Sequence, residues 1–246
     1  MAGYLTALQI FLAAMATPLA AGAASFTAFS AAPIGAPPPP WQLVTLPKVP
    51  RHTRFAIVER DKEHVLRVEA DGSYGNLMHR FAGDAAPDSS TPILLWRWRV
   101  DAMSMQTDIT RKSGDDVPGR VCVLFDLRLE RLSPEDNFLV SVGRKALDPD
   151  LPAATICCVW DAHVAVGTWL PNAYTARVMQ LVLERGLKKT WKEERRDLRL
   201  DFAAAFPHES ANGPFPRIAA IGVSADGDNT GARSLAFFGD ITLRAE

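Results

Sequence analysis

Ile93-Leu94-Leu95-Trp96-Arg97-Trp98-Arg99-Val100 is the stretch that decides the fold class of this 246-residue chain. Leu94, Trp96, Trp98 and Val100 alternate with Leu95, Arg97 and Arg99. A side-chain period of two therefore puts an apolar row on one face of a strand and a largely basic row on the other. An antiparallel sheet packed on one side and solvated on the other asks for this pattern, whereas a parallel strand buried on both faces reads as an unbroken apolar run. Trp96 and Trp98 share a face with Leu94 and Val100, so packing is their expected role.

Outward from this strand, short apolar runs keep alternating with turn signals. Upstream, Phe55–Glu59, Val65–Ala70 and Asn76–Phe81 read as strands, and Gly83 to Pro92 reads as a polar loop. Downstream come Arg120–Asp126, Thr155–Trp160, Thr175–Leu183, Trp191–Asp197, Ile218–Val223 and Ser234–Leu243. Ser133-Pro134-Glu135-Asp136 changes the period: a serine N-cap, a proline at the first helical position and acids in the first turn predict a helix to about Leu147. Leu198–Phe206 has apolar residues at helical spacing and is closed by Pro207. Strands do not alternate regularly with helices, which argues against a parallel α/β sheet. The expectation is an all-β, mostly antiparallel, two-sheet jelly-roll-like β-sandwich with one or two short helices, forming one domain over residues 41–246.

Composition bounds the function. A hydrophobic content of 48% and a charged content of 22% are those of an ordinary globule, and the formal net charge of −1 gives no general attraction to nucleic acid. No charged residue precedes Lys48. Tyr4–Ala16 suits the apolar region of a secretory signal, and Ala21-Gly22-Ala23 offers small residues for cleavage. Residues 1–23 are therefore expected to be a signal peptide, leaving no transmembrane domain in the mature chain and a periplasmic or secreted protein. Residues 24–40, ending in Pro37-Pro38-Pro39-Pro40, read as an Ala/Pro-rich linker. Of the three cysteines, Cys122, Cys157 and Cys158, only one of the adjacent pair can face Cys122 from a strand. The favoured reading is three small buried hydrophobes, with one disulfide as the alternative.

The polarity that folding does not obviously require is concentrated in Ser224-Ala225-Asp226-Gly227-Asp228-Asn229-Thr230-Gly231. A plain hairpin needs only a dipeptide such as Asn-Gly. Asp226, Asp228, Thr230 and Gly231 match the first, third, fifth and sixth places of an EF-hand-like loop, but the twelfth is Phe237 and no helices flank it. This leaves a β-flanked calcium site at Asp226, Asp228 and Thr230, a direct ligand site adding Asn229, or a tight turn in which Asp and Asn bond their own backbone. The turn is the plainest of the three.

A second acidic pair, Asp115-Asp116, stands just before the strand that opens with Arg120. Like charges that close need a cation or a raised pKa if they are buried. The expectation is that this segment lies beside Asp226–Thr230, with Arg120 or a bound cation offsetting the acids. Candidate catalytic groups are Asp115, Asp116, Asp226, Arg120 and Arg196. Arg97, Arg99, Arg120 and Arg196 are expected on polar strand faces, and Trp169 in a loop as an aromatic platform. The chain carries no Gly-x-Ser-x-Gly elbow, P-loop or Rossmann glycine pattern, and its five histidines are scattered.

The ordered set Leu95–Val100, Gly114-Asp115-Asp116 through Arg120–Phe125, Val159-Trp160 with Gly167, Glu194–Asp197, Asp226–Thr230 and Gly239-Asp240-Ile241 resembles the bacterial DUF3047 family. The resemblance covers roughly residues 41–245. It implies a secreted β-rich domain and brings no known activity. The Gly-Asp-Ile ending also resembles the last strand of galactose-binding-like jelly rolls, at the level of fold alone. The function expected from these readings is a binding module for a glycan or other cell-envelope ligand. The alternatives are a glycan hydrolase or lyase using the clustered Asp residues with Arg, and a structural envelope protein.

Overall fold

The computed structural model describes residues 26–46, 49–81, 92–146 and 152–245. The expected signal segment, most of the Gly83–Pro92 loop and the end of the first helix at Leu147 lie outside them. In chain order the strands are β1 (Gln42–Val44), β2 (Arg54–Arg60), β3 (Glu63–Asp71), β4 (Asn76–Arg80), β5 (Pro92–Ala102), β6 (Gly119–Asp126), β7 (Ala154–Asp161), β8 (Trp169–Asn172), β9 (Thr175–Arg185), β10 (Lys192–Asp197), β11 (Arg217–Ser224), β12 (Arg233–Phe238) and β13 (Thr242–Ala245). They form two antiparallel-rich sheets. One has the order β1-β4-β11-β6-β7-β9-β8, the other β10-β5-β12-β3-β2 with β13 continuing beside β5. The one parallel neighbour pair among the described strands is β7 with β9.

The inner faces meet over an aromatic core. Trp98 is fully buried and packs edge-on against Trp96 and Trp160, with ring centroids 5.8 Å and 5.4 Å away, and tilts against Phe238 at 6.1 Å. The face assignment read from Ile93–Val100 therefore holds. The opposite row of β5 is solvated and paired. Arg97 bonds Glu63 and lies 4.7 Å over the Trp191 ring, and Arg99 bonds Asp101 at 2.5 Å. These are cross-strand and local ion pairs of the ordinary surface kind.

Helix α1 (Pro134–Ala146) starts where its sequence predicts, the Ser133 hydroxyl accepting from the Asp136 N–H at 3.1 Å. Helix α2 (Leu198–Ala205) is capped by Asp197, whose Oδ1 accepts from the N–H groups of Arg199 and Leu200. Pro207 opens a further short helix, α3 (Pro207–Ala211), instead of ending the helical region. A proline suits a first helical turn because its missing N–H would have no partner there. Three α-helices result among the described residues, one more than the one or two expected. None of the described helices is long and apolar enough to cross a membrane.

The spacer expected over residues 24–40 is corrected from Phe26 onward. Phe29 and Ala32 are buried in the main core, and the Phe29 ring sits 5.2 Å from Trp41. Gly35 exchanges two backbone hydrogen bonds with Ile57, at 3.0 and 2.7 Å, and Ser30 donates its N–H and hydroxyl to the Asp240 carboxylate at 2.9 and 2.5 Å. The composition signalled polyproline stiffness. The two phenylalanines inside it, at 26 and 29, supply the apolar surface that holds the segment to the sheet edge.

Candidate functional site

The two acidic segments come together because of strand register. Strands β6 and β11 are antiparallel neighbours with Arg120 opposite Ser224. The residues just before β6 and just after β11 therefore meet at the same end of the ladder. Asp226 N–H donates to the Val117 carbonyl at 3.1 Å, and Val117 N–H donates back to Asp226 Oδ1 at 2.7 Å. Gly227 N–H donates to Ser73 O at 2.9 Å. A Cβ on Gly227 would stand 2.2 Å from the Ala232 carbonyl oxygen, so only glycine lets the loop double back this tightly.

Each acid has a different environment. Asp226 is 5% exposed and forms an ion pair with Arg120, itself 9% exposed. Asp116 is fully buried and acts as a bracket for the facing turn. Its Oδ2 accepts from Thr230 N–H at 2.7 Å and the Thr230 hydroxyl at 2.5 Å, and its Oδ1 from Asn229 N–H at 3.2 Å and the Asn229 amide at 3.3 Å. Four protein donors thus converge on this one carboxylate and tie the two loops together. Asp115 accepts from the Asn172 amide at 2.6 Å through Oδ2, while its Oδ1 is buried with no partner among the described residues. Asp228 is half-buried, and its Oδ1 likewise has none. Burial, followed by the like charge of Asp116, pushes the Asp228 carboxyl above the usual carboxylate range. Burial and the charges of Asp115, Asp228 and Asp116 push the Tyr174 phenol up as well.

These groups border a cavity of about 410 Å³ on the outer face of the seven-stranded sheet. Its polar wall holds Asp115, Arg120, Asp226, Asp228 and Asn229. Met78, Leu124 and Val178 form an apolar floor together with Cys122 and Cys157, and Tyr74 and Tyr174 line it too. Cys122 and Cys157 sit directly opposite each other on β6 and β7 and are joined as a disulfide. That corrects the reading of three unpaired cysteines. The alternation along β7 turns Cys157 outward, and leaves Cys158 as a buried thiol on the core side, where burial drives its pKa far up. A small apolar cluster of Ile109, Val117, Val159 and Val182 packs round the bridge.

The calcium set Asp226, Asp228 and Thr230 does not assemble as expected. One oxygen from each of Asp116, Asp226 and Asp228 lies within 4.8 Å of the others, but Thr230 spends its hydroxyl on Asp116. Calcium takes six to eight oxygens. Here Asp116 already serves four donors, and Asp226 serves Val117 and a guanidinium whose charge repels a dication. Few oxygens of this set are therefore left without a protein donor.

Two expected residues lie elsewhere. Trp169 begins β8 instead of sitting in a loop, pairs with Leu181 and packs on the core; it does not line this cavity. Arg196, pairing Leu94, faces inward at the edge of the smaller sheet. It bonds the buried Asp201 of α2, through Nε at 2.9 Å, and Asp201 holds it charged. Sequence reading missed Asn172 and Tyr174, which reach the cavity from the β8–β9 turn. Tyr174 donates to Asn229 Oδ1 at 2.8 Å. Asn172-Ala173-Tyr174 is a turn signature, but nothing in it points to partners some fifty-five residues away in sequence.

A comparison with curated proteins finds no match. A comparison with family models matches residues 39–242 to one described as a protein of unknown function, DUF3047. Since that match covers most of the chain, including the strands and loops that build the cavity, the chain belongs to the DUF3047 family.

Proposed function

We propose that the chain is a binding module that captures a sugar-sized, hydroxyl-bearing ligand, such as a unit of a glycan, in the cavity beside Asp226–Asn229. The observation that carries this reading is the composition of the cavity: about 410 Å³, an apolar floor and a cluster of polar groups converging from two loops. Ligand sites of small molecules share that size and that division between apolar area and a few placed polar groups. The unpartnered carboxylate oxygens of Asp115 and Asp228 suit sugar hydroxyls, and tyrosine rings suit their apolar faces.

The wider reading is of an exported envelope protein on a jelly-roll-type scaffold. The apolar Tyr4–Ala16 segment and the Cys122–Cys157 bridge support export. The repeated passage of the chain between sheets, at β1 to β2, from β3 through β6 and again from β9 through β12, supports the jelly roll. The test is a titration of the purified protein against a panel of mono- and disaccharides, read by calorimetry. The reading requires at least one to bind with a 1:1 endpoint and to lose most of its affinity in Asp115→Asn. No binding across the panel would sink it.

A glycan hydrolase or lyase is the second reading, and one observation favours it: the raised Asp228 carboxyl beside other carboxylates is how enzymes keep a proton donor. Against it stand Asp116 and Asp226, whose oxygens are already committed to protein donors. Release of new reducing ends from an oligosaccharide that binds would turn the argument toward catalysis.

A further inference from the structure

Resting on that binding reading, we propose that the ligand carries a protonated primary amine, as an amino sugar does, seated against Asp115 and Asp228. Three features of the cavity combine to this end. Among the described residues its charge is unbalanced: Asp115, Asp226 and Asp228 line it and Asp116 stands behind, against one lining cation, Arg120. Arg120 and Asp226 neutralise each other, so the excess is negative. Lys112 offsets it only from outside, 5.4 Å over the Tyr174 ring.

The second feature is the orphaned polar atoms. Asp115 and Arg120 are each more than nine-tenths buried and line the cavity, yet Asp115 Oδ1 and Arg120 Nε have no partner among the described residues. Asp228 Oδ1 is in the same condition. Buried polar atoms of this kind cost stability unless something bonds them. Two of the three are acceptors, so the missing group is chiefly a donor. A neutral hydroxyl brings one donor hydrogen; an ammonium brings three and a compensating charge.

The third feature separates an organic ammonium from a metal ion. Asp116 and Asp226, which would have to coordinate a metal, already accept from protein N–H and O–H groups, and the Arg120 guanidinium adjoins them. An ammonium needs only the two acids left over. It also gains from the Tyr74 and Tyr174 rings that line the cavity, since ring faces attract cations, while the carbon skeleton covers Met78, Leu124 and Val178.

The experiment compares glucosamine, N-acetylglucosamine and glucose by calorimetric titration of the full protein at about pH 6, below the range in which ordinary amines deprotonate. Glucosamine is expected to bind about tenfold or more tightly than the other two, the scale of a charge-assisted hydrogen bond. In Asp228→Asn that advantage is expected to fall to about threefold or less, with thermal unfolding showing that the variant is folded. Glucose or N-acetylglucosamine binding as well as glucosamine would overturn the amine assignment and leave the sugar-binding reading standing. Failure of all three sugars to bind would overturn this inference and count against the broader reading too. Stabilisation of the protein by calcium chloride, abolished in Asp228→Asn, would overturn it in favour of a dication.

Discussion

Replacing Arg120 by alanine tests the electrostatic core of the site. In the native protein Arg120 and Asp226 form a contact pair with side-chain exposures of 11% and 5%. Removing the guanidinium leaves Asp226 buried with the Val117 N–H as its remaining donor and with Asp116 and Asp228 close by. Deleting one partner of a buried pair costs about 3–5 kcal/mol, because the other charge stays behind without compensation; an exposed pair would cost about 0–1. We expect Arg120→Ala to lose about 3–5 kcal/mol and Asp226→Ala a similar amount. The double variant should lose far less than their sum, giving a coupling energy of at least about 2 kcal/mol. Equilibrium urea unfolding, followed by circular dichroism at about pH 7, measures all three variants, and an unchanged slope against urea would show that the transition is still comparable. Adding salt should change the coupling little, since buried pairs are weakly screened. A single-variant loss below about 1 kcal/mol, or additive losses in the double variant, would refute the claim that this pair holds the two loops together.

Other expectations are more local. Asp228→Asn should raise the melting temperature at about pH 7. The raised native pKa of Asp228 means that ionisation costs stability above it; the cost fades as pH falls and is gone below the ordinary value of 3.8, where variant and wild type should converge. A gain that grows on acidification would show the sign to be wrong. Phe29→Ala should cost about 3–5 kcal/mol in urea unfolding, the cost of truncating a fully packed ring, and a loss under about 1 would return residues 26–40 to the status of a spacer. Trp98→Ala should cost a similar amount by the same measurement; normal stability would contradict its place in the core. Replacing both Cys122 and Cys157 by serine should destabilise by about 2–4 kcal/mol, given the 35-residue separation that the bridge closes, and mass spectrometry of the unreduced wild type should find the bond.

Much of the fold was legible because it depends on short-range chemistry. The alternation in Ile93–Val100 set the buried face, and Ser133-Pro134 set a helix start that the structure reproduces at Pro134. What failed were inferences from composition. Pro37–Pro40 read as the end of a spacer, yet the burial of Phe29 and Ala32 is decided by a sheet edge formed from residues over twenty positions later. Trp169 read as a loop residue because β8 is only four residues long and gains its hydrogen bonds from β9. Arg196 read as surface because a charged residue at an even strand position has no local signal for a buried Asp201 waiting on a helix.

The adjacency of Gly114–Arg120 to Asp226–Thr230 was anticipated from electrostatic need, and the register between β6 and β11 supplies the geometry. The structure also divides the acids in a way sequence could not. Asp116 and Asp226 are consumed by the fold, one bracketing the turn through four donors and the other tied to Arg120 and Val117. Much of the polarity that looked surplus in Asp226–Thr230 is therefore structural: it replaces the ladder bonds that two loops lose on leaving the sheet. Asp115 and Asp228 are different, since each ends in a buried oxygen that the described residues do not satisfy. Folding alone would favour neutral residues there, because an unsatisfied buried carboxylate oxygen only subtracts from stability. Acids at such a cost, on the wall of a cavity with an apolar floor, are the groups that the proposed ligand would satisfy.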